Sequence, residues 1–496
     1  MLKTITTQRL HLWCGLFAGL WLAVLGVSGF MLDHRDSWRW MWQGGVTGNW
    51  VGQAIKDKSQ AGSIRLYQRA AQGPAFEISG GMTGLWWRKD RDSVWQNTVF
   101  VNRDKTPLVY QVLFDEKSEA AVWLASDDGL WLSTDNGKYV QPYAFAKQPV
   151  TAIARVGSNI LYAVVDRSTV YKVEIDTRQI TRLELSAPDP AILPDAISLS
   201  RFVRDLHYGR GVSGVNTSLL WNDIAGISLL VMPLTGVLFY WLPKRWRRRK
   251  ADGDNINHHY KKHSMRWLFR LHGPSFGLIC FIPVLYLSIT GIFLDHSVGL
   301  RQWMKHTSVS RELQTPVYSL SSWQGHIYGV AADSKTSGIS LATRLGLFTT
   351  YDQGQTWLRE KLWDDKAVFV WTLRQQQSHR MIGGMGSPNF VQADNKSGWQ
   401  KIKGHAHMPS DITVQGDGLL LKTRKGVWLA RSGENAIKQT VQFPVIQYVP
   451  WFYVIDGLHS GLLIHEQWKW FNDLIALLAI LLVVTGLMRW WKTKWI

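Results

Sequence analysis

The sequence of 496 residues predicts an α-helical membrane domain, a four-helix bundle made of two repeated helix pairs, together with a β-rich region. Four apolar runs of about 19–23 residues indicate the helices, because about 20 residues at a rise of 1.5 Å cross a hydrocarbon core of about 30 Å. Two stretches between these runs alternate aromatic and β-branched residues with polar ones. They are broken by Gly, Asn and Asp, which is typical of strands and turns.

The apolar runs form an internal repeat, which constrains the architecture more than any single run does. Residues 9–34 and 270–296 both begin with Arg-Leu-His and end with Leu-Asp-His, with a Ser/Thr-Gly pair six residues before the last His. The second and fourth runs, 221–241 and 471–491, share an Asn-Asp pair and a Thr-Gly pair. Matched residues are therefore expected at matched positions of two helix pairs. The shared pairs are Asn222-Asp223 with Asn472-Asp473 and Thr235-Gly236 with Thr485-Gly486.

The first apolar run is predicted to remain in the protein as a helix rather than to be cleaved as a signal peptide. It is too long for the apolar part of a signal peptide, lacks a small-residue cleavage site, and has its copy in the middle of the chain. The predicted organisation has membrane helices in 1–34, 206–242, 271–296 and 456–496, a basic loop at 243–270, and β-rich segments at 35–205 and 297–455.

The net charge of +19 is concentrated beside helix ends on one side of the predicted membrane. The positive-inside rule then places both termini and the basic loop in the cytoplasm of a bacterial inner membrane, and both β-rich segments in the periplasm. Because topology accounts for the basic run, nucleic-acid binding is not expected, and contact with anionic lipid is a secondary role. The basic residues are ten Lys/Arg in 243–270, set against two Asp, with Lys3, Arg9, Arg489, Lys492 and Lys494 near the termini.

The β-rich segments share a repeated hairpin pattern. Residues 129–140 match 346–357, and the second copy fits the Asp-box Ser/Thr-x-Asp-x-Gly-x-Thr-Trp. Asp-boxes resemble the turns of sialidase-type β-propellers, so Asp135 and Asp352 are predicted to be turn residues. About three modules of roughly 40 residues in each segment come close to the period of propeller blades. The sequence favours one propeller shared by both segments, leaves open one domain for each, and offers no carboxylate pair or tyrosine nucleophile typical of a glycosidase.

Six of the 15 histidines fall at matched positions near helix ends. An ionisable residue in a membrane helix is costly unless it has a function. Neutral imidazole is a good iron ligand, and two histidines leave haem iron six-coordinate and suited to electron transfer. Two histidines on facing helices at one depth are able to hold one porphyrin in a bundle core. The matched pairs are His11 with His272, His34 with His296, and His207 with His459.

Other interpretations of these residues stay open. A single histidine at a helix end often hydrogen-bonds lipid headgroups or caps a carbonyl, and duplication by itself copies residues without requiring function. Asp33 and Asp295 fit acceptors for the neighbouring imidazoles, a cation site, or ordinary interfacial carboxylates. The basic-loop histidines are expected to be solvated rather than metal-binding; they are His258, His259 and His263.

The cysteines and glycines limit how a redox cofactor is held. Cys14 and Cys280 lie in membrane runs at unmatched positions, and the chain has no Cys-x-x-Cys-His, so any haem is bound non-covalently. No GxGxxG lies between a strand and a helix, so no flavin or nicotinamide site is indicated. An external electron donor is therefore required.

These motifs together resemble the PepSY-associated transmembrane family over about 130 residues. The resemblance rests on Arg-Leu-His before a Gly-rich helix, Ser/Thr-Gly at the outer end of that helix, and Leu-His-x-Gly ahead of the second helix. Members include iron-regulated inner-membrane proteins and FoxB-type ferric-siderophore reductases. The small PepSY domain usual in the family is not recognisable here, and the Asp-box segments take its place. The resemblance implies haem-b ligands at His11 and His272 on the cytoplasmic side and at His34, His207, His296 and His459 on the periplasmic side.

The predicted function is electron transfer by a haem-containing inner-membrane protein that reduces periplasmic Fe(III), free or siderophore-bound, to Fe(II). A cytoplasmic reductase or quinol would donate the electrons, and a separate ferrous-iron transporter would take up the product. Two b-type haems are expected, or three if all six histidines serve. No catalytic side chain is predicted, because one-electron transfer needs no acid–base pair. The alternatives are a non-enzymatic, membrane-anchored β-propeller that acts as scaffold or sensor, and a cation transporter, which the unbroken apolar helices disfavour.

Overall fold

The computed structural model describes residues 6–70, 76–90, 93–115, 120–252, 257–333, 336–362, 367–376, 378–394, 397–404 and 407–494. The chain forms two compact units, each assembled from separated stretches of sequence. The helical unit comprises Met1–Trp38, Leu199–Thr307 and Phe452–Ile496. The β-rich unit comprises Arg39–Ser198 and Ser308–Trp451, so both β-rich segments belong to one unit.

Ten α-helices occur in the described part of the chain, and a π-helix at Leu271–Gly277 joins the sixth to the seventh. Short 3-10 turns lie at Gly48–Trp50, Pro190–Ile192, Arg311–Leu313, Pro316–Ser319 and Glu466–Trp468. The helices are α1 (Thr7–Asp33), α2 (Trp40–Gln43), α3 (Gln53–Ser63), α4 (Leu199–His207), α5 (Val215–Ala251), α6 (His258–Arg270), α7 (Leu278–Asp295), α8 (Arg301–His306), α9 (Trp451–Ser460) and α10 (Lys469–Lys494).

Four stretches of helix are long and apolar enough to cross a membrane: Thr7–Asp33, Thr217–Ala251, His258–Asp295 and Glu466–Trp491. One apolar cluster takes residues from every one of them, so the four stretches share a core. Small residues allow the closest approach, because a Cβ added at Gly26 of α1 would lie 2.5 Å from the carbonyl oxygen of Gly226 in α5. The buried residues of this cluster are Ala18, Leu22, Ala225, Cys280, Val284, Ile475 and Ala479.

The stretch predicted as a basic loop is largely helical. α5 continues to Ala251, and α6 begins at His258 and leads through the π-helix into α7. Helices of 37 and 38 residues span about 55 Å, which is longer than a hydrocarbon core of about 30 Å, so part of each projects beyond it. Residues 253–256 of this stretch and Lys3 near the N-terminus lie outside the described residues.

The β-rich unit contains six sheets of four or five strands within the described residues, and we refer to them as blades 1 to 6. Strands within a blade are antiparallel, apart from the short parallel pairing of Val99–Phe100 in blade 2. Blades 1 to 3 come from the first β-rich segment and blades 4 to 6 from the second. The strands outside the blades are β1 (Gly45–Thr47), which pairs with β29 (Tyr448–Pro450), and β15 (Ala196–Ser198), which pairs with β16 (Ser308–Ser310).

Blade 1 is formed by β2 (Ile64–Arg69), β3 (Glu77–Gly81), β4 (Leu85–Arg88) and β5 (Gln96–Asn97), and blade 2 by β6 (Val99–Phe100), β7 (Val109–Phe114), β8 (Val122–Ser126), β9 (Gly129–Ser133) and β10 (Tyr139–Ala144). Blade 3 contains β11 (Val150–Val156), β12 (Ile160–Val165), β13 (Thr169–Glu174) and β14 (Ile180–Arg182), and blade 4 contains β17 (Gly329–Ala332), β18 (Ile339–Thr343), β19 (Gly346–Thr350) and β20 (Leu358–Arg359). Blade 5 contains β21 (Phe369–Gln376), β22 (His379–Met385), β23 (Asn389–Gln392) and β24 (Gln400–Ile402), and blade 6 contains β25 (Asp411–Gln415), β26 (Gly418–Thr423), β27 (Gly426–Arg431) and β28 (Ile437–Gln439).

The six blades close into one ring, which is a six-bladed propeller shared by both segments. Strands β2, β7, β11, β17, β21 and β25 are neighbours in that order, and β25 returns to β2. Buried polar side chains on these strands join blades of the two segments. Gln68 donates to Asp411 Oδ2 at 3.1 Å, and Arg374 donates to Asp411 Oδ1 at 3.0 Å and to Gln111 Oε1 at 3.3 Å. The arrangement that the sequence favoured is therefore the one observed.

The Asp-box residues make the predicted turns. Gly137 N donates to Ser133 Oγ at 2.8 Å, and Tyr139 N donates to Asp135 Oδ1 at 3.0 Å. In the second copy, Asp352 accepts from both the hydroxyl and the backbone N–H of Thr356. These hydrogen bonds, that of the Thr356 side chain above all, hold the pKa of Asp352 well below its usual range.

Candidate functional site

The structure brings four of the six predicted histidines together as two facing pairs. His11 of α1 lies opposite His272 of the π-helix, with 6.2 Å between the ring centroids and 85° between the ring planes. His207 at the end of α4 lies opposite His459 in α9, with 6.4 Å between the centroids and 61° between the planes. Each pair combines the matched histidines of the two repeats. We call the end of the helical unit that holds His11 and His272 the basic end, and the end that holds His207 and His459 the junction end.

Each paired histidine is held through Nδ1 by a hydroxyl from another helix. At the basic end, the distance from Nδ1 to the hydroxyl oxygen is 2.8 Å both for His11 with Thr485 and for His272 with Thr235. At the junction end the corresponding Nδ1–Oγ distances are 3.0 Å for His207 with Thr290 and 2.9 Å for His459 with Ser28. All four hydroxyls belong to the Ser/Thr-Gly pairs of the repeat.

The same hydroxyls determine which imidazole nitrogen carries the proton. Each one donates its single proton to the backbone carbonyl four residues earlier in its own helix, at 2.6–2.8 Å. The hydroxyl oxygen must then accept from Nδ1–H of the histidine. In its neutral form, an imidazole held in this way carries its proton on Nδ1 and has an unprotonated Nε2. Within the described part of the chain, the side-chain hydrogen bonds of these four histidines are made through Nδ1.

The glycine of each Ser/Thr-Gly pair makes room for the imidazole. A Cβ added at Gly29 would lie 3.3 Å from Cε1 of His459, and one added at Gly291 would lie 3.4 Å from Cε1 of His207. At the basic end, a Cβ on Gly486 or Gly236 would lie 3.6 or 3.7 Å from Cε1 of His11 or His272. The hydroxyl thus orients the ring, and the neighbouring glycine lets the ring lie against the helix.

Two of the membrane-spanning stretches contribute a side chain to both sites. α1 supplies His11 to the basic end and Ser28 to the junction end, 17 residues or about 25 Å further along the helix. The π-helix and α7 likewise supply His272 and Thr290. The two histidine pairs are therefore two separate sites near opposite ends of one helical core.

The π-helix compensates for a difference in length between the repeats. Thr290 follows His272 by 18 residues, whereas Ser28 follows His11 by 17. A π-helical turn closes hydrogen bonds from residue i to i+5 and so holds one more residue than an α-helical turn. The π-helix at Leu271–Gly277 absorbs the extra residue, and His272 and Thr290 reach the same two sites as His11 and Ser28.

The donor set of each site fits a haem iron. If two imidazoles bound one metal ion from opposite sides, each with a metal–nitrogen distance of about 2 Å, their ring centroids would lie roughly 6 Å apart. This is close to the distances between the ring centroids observed in the two pairs. An unprotonated Nε2 would be the ligating atom, and an Nδ1–H held by an acceptor is the usual support for such a ligand. The described residues contain no group of three or more His, Cys, Asp and Glu that could hold a metal ion. A site with two imidazoles suits a metal that brings its own equatorial ligands.

The structure does not bring His34 and His296 to another histidine of the described residues. His34 Nε2 hydrogen-bonds Asp223 Oδ1 at 3.0 Å, and His296 Nε2 hydrogen-bonds Asp473 Oδ2 at 2.7 Å. Their Nε2 atoms are engaged, unlike those of the four paired histidines. The physical reason is that the Asp of each Asn-Asp pair lies on the facing helix at the depth of the outer histidine. We therefore confine the candidate sites to the four paired histidines.

The asparagines of the Asn-Asp pairs support the junction-end site. Asn222 donates to the carbonyl oxygen of His207 at 2.9 Å, and Asn472 donates to that of His459 at 3.2 Å. Asn222 also contacts Asp33 Oδ2 at 3.2 Å. Asp33 is therefore linked to the backbone of His207 and not to the imidazole of His34.

The sequence contained a signal for the supporting hydroxyls that the sequence interpretation did not use. A Ser/Thr-Gly pair recurs once in each of the four apolar runs, and such a recurrence across both members of each helix pair is hard to explain by duplication of one helix. The interpretation noted the pairs without assigning them a partner. They are Ser28-Gly29, Thr235-Gly236, Thr290-Gly291 and Thr485-Gly486.

Comparison with known proteins identifies one matching family. The model of the PepSY-associated TM region matches residues 8–368. No curated protein matches the chain.

Solved structures give only distant likenesses. The extracellular domain of a putative one-component system from B. thetaiotaomicron has 10% identity and a TM-score of 0.36, with 78% of this chain and 34% of that chain covered. The present chain thus spans about a third of the length of that protein. Sqt1 of Saccharomyces cerevisiae has 10% identity and a TM-score of 0.33, with 76% and 84% covered. YCF48 from Cyanidioschyzon merolae has 11% identity and a TM-score of 0.30, with 70% and 88% covered. Likenesses at this level say nothing about activity.

Proposed function

The chain belongs to the family of the PepSY-associated TM region, and from that premise we propose that it is a haem-containing four-helix bundle of the bacterial inner membrane that reduces periplasmic Fe(III). The Fe(III) is free or chelated, as in FoxB-type ferric-siderophore reductases, and accepts one electron to become Fe(II). A cytoplasmic reductase or a quinol is the electron donor, and a separate ferrous-iron transporter takes up the product.

The observation that supports this proposal is the pair of facing imidazoles at each end of the helical core. His11 with His272, and His207 with His459, would each hold one b-type haem, which makes two in all. Haem held by two neutral histidines supplies reversible one-electron chemistry with no open coordination position. The four hydroxyls keep the proton on Nδ1 and leave Nε2 free, and the glycines leave space for the rings.

The distribution of charge supports the orientation. The basic end carries the described part of the Lys/Arg-rich stretch 243–270, the start of α1 and the end of α10, so the positive-inside rule assigns it to the cytoplasm. The propeller then belongs to the periplasm, on the side of the ferric acceptor. The two sites about 25 Å apart along α1 serve the two membrane faces. His34 and His296 face the periplasm as well, but their bonds to Asp223 and Asp473 place them outside the proposed ligand sets.

The test is an absorption spectrum of detergent-purified protein before and after reduction with dithionite, combined with the haem-to-protein ratio. The proposal expects reducible Soret and α bands and two haems per chain. His11→Ala should remove one haem, His207→Ala the other, and the combined variant both. His34→Ala is the matched control, because it removes the histidine that directly follows α1, the helix of His11, but should leave both haems in place.

The reduction step is tested in membrane vesicles that contain the protein, with a ferrous chelator reporting Fe(II) formed from a ferric chelate. The double variant of His11 and His207 should lose this activity. Colourless protein after growth with added haem precursor would refute the proposal. It would favour the alternative in which the helices anchor a propeller that acts as a scaffold or sensor.

A further inference from the structure

A cleft of about 740 Å³ opens at the basic end between α5 and α6. It lies outside the two histidine sites, although Phe239 in its wall contacts His272, with 6.0 Å between the ring centroids. Its lining combines aromatic and aliphatic side chains with cations and includes no acidic residue. The lining residues are Phe239, Lys262, Met265, Arg266, Phe269 and Arg270.

The spacing of these residues along α6 separates the cations from the apolar wall. Lys262, Arg266 and Arg270 follow one another at intervals of four residues, so they form one stripe about 12 Å long on the helix surface. Met265 and Phe269 are also four residues apart and form the adjoining stripe. The cleft therefore presents a row of positive charges beside an apolar surface.

The three cations have no counter-charge in the described structure. None of them makes an ion pair or a hydrogen bond to a described residue, and all three are exposed. Phe269 keeps 49% of its surface exposed beside them. Three like charges within about 12 Å repel one another, and an anion bound beside them would offset this repulsion. The uncovered apolar wall adds a second requirement, because a ligand that covers it must carry an apolar part.

We propose that this cleft binds an anionic phospholipid, with the phosphate against Lys262, Arg266 and Arg270 and an acyl chain against Phe239, Met265 and Phe269. Charge complementarity and the apolar wall together select an amphiphile over free phosphate. The cleft lies where α5 and α6 carry most of the basic residues of the stretch 243–270, and this is also where the headgroups of anionic lipids attract basic side chains.

Lipid binding at this cleft does not depend on the proposed redox function. Its effect on the midpoint potential of a haem at the basic end does rest on that function. Binding itself requires only α5 and α6. Because Phe239 in the cleft wall also contacts His272, a bound headgroup would add negative charge on the side of the basic-end histidine pair. It should therefore lower the midpoint potential of the basic-end centre and leave that of the junction-end centre unchanged.

The experiment measures lipid binding to full-length detergent-purified protein by native mass spectrometry and by thermal unfolding, with phosphatidylglycerol, phosphatidylcholine and inorganic phosphate as the three probes. The test variant is K262Q/R266Q/R270Q. The matched control is R247Q/R248Q/K250Q, which removes the same charge from exposed residues of α5 that do not line the cleft.

Wild type should retain phosphatidylglycerol in preference to phosphatidylcholine, and inorganic phosphate should not displace it. The test variant should bind phosphatidylglycerol roughly 100-fold more weakly, since each basic residue near an anionic lipid surface contributes a factor of about five. The control variant should lose less than about 20-fold in affinity for phosphatidylglycerol. F239A, which keeps every charge, should weaken phosphatidylglycerol binding and leave the response to inorganic phosphate unchanged.

Equal losses in the test and control variants would overturn the proposal, because they would indicate attraction by general charge. Displacement of the lipid by inorganic phosphate would overturn it in favour of a free-anion site. Loss of basic-end haem with unchanged lipid binding would also overturn it and would assign the cations to the cofactor. A colourless protein that still binds phosphatidylglycerol selectively would refute the redox proposal and leave the lipid site standing.

Discussion

Replacement of Thr485 by valine tests whether the hydroxyls orient metal-ligating histidines. Thr485 is buried, with 3% of its surface exposed, and its hydroxyl accepts from His11 Nδ1 at 2.8 Å. Valine has nearly the same shape, so it removes the acceptor without opening a cavity. The Nδ1–H is then left without an acceptor, which costs about 1–3 kcal/mol. If the proton moves to Nε2 instead, His11 can no longer act as a ligand through that atom.

The expected consequence is a haem affinity at the basic end that falls about 10- to 100-fold, the usual effect of removing the group that supports a metal-bound histidine. At 1.4 kcal/mol for each factor of ten, this range is about 1.4–2.8 kcal/mol and agrees with the cost of the lost hydrogen bond. The assay is the rate of haem transfer from the purified protein to excess apomyoglobin, resolved into two components. One component should accelerate in T485V while the other keeps the wild-type rate.

Two further variants provide the controls. T485S keeps the hydroxyl and should behave like wild type. T290V removes the hydroxyl that holds His207 at 3.0 Å, so it should accelerate the other component. If T485V and T485S release haem equally fast, or if T485V and T290V affect the same component, the assignment of the hydroxyls to separate ligand pairs is wrong.

Three other substitutions test the packing and electrostatics of the two units. G26A should destabilise the helical unit by about 1–3 kcal/mol, because the new Cβ would lie 2.5 Å from the carbonyl oxygen of Gly226. Thermal unfolding in detergent measures this loss, and a G26A melting temperature equal to that of wild type would contradict the prediction. R374M should destabilise the propeller by about 3–5 kcal/mol, because it removes the guanidinium that lies 3.0 Å from the buried carboxylate of Asp411. The double variant R374M/D411N should recover most of that loss. Equal denaturation midpoints for the two variants would argue against a buried ion pair. Burial lowers the pKa of Lys422 from 10.5 to about 8, so between these pH values the unfolded chain binds more protons than the folded chain, and the free energy of unfolding should rise with pH. K422M should remove this rise. Parallel curves of stability against pH for the two proteins from pH 8 to 10.5 would contradict the assignment.

The propeller shows which parts of a fold can be inferred from local sequence. Asp135 and Asp352 could be assigned as turn residues because every hydrogen bond that defines their turns lies within four residues of the aspartate. The closure of the ring could only be favoured, because it depends on contacts such as that of Gln68 with Asp411, 343 residues apart. No local pattern reports such a contact.

The basic stretch shows a limit of another kind. Its ten Lys/Arg and its position between apolar runs suggested a loop, yet residues up to Ala251 and from His258 are helical. Lys and Arg are good helix formers, so a run of them next to an apolar helix can extend that helix. The stripe of Lys262, Arg266 and Arg270 exists only because of that continuation.

The sequence by itself determined the features that arise from composition and local pattern. These are four apolar helices in two repeated pairs, blade-like modules with Asp-box turns, and six histidines at matched positions. Only the tertiary structure decided which histidines face each other. His11 meets its hydroxyl partner 474 residues away, and His459 meets its partner 431 residues away. Helix packing places Asp223 and Asp473 against His34 and His296, and it brings His11 opposite His272 and His207 opposite His459. Each partnership is set by the depth and rotation of one helix against another, and these depend on packing that one-dimensional spacing does not specify.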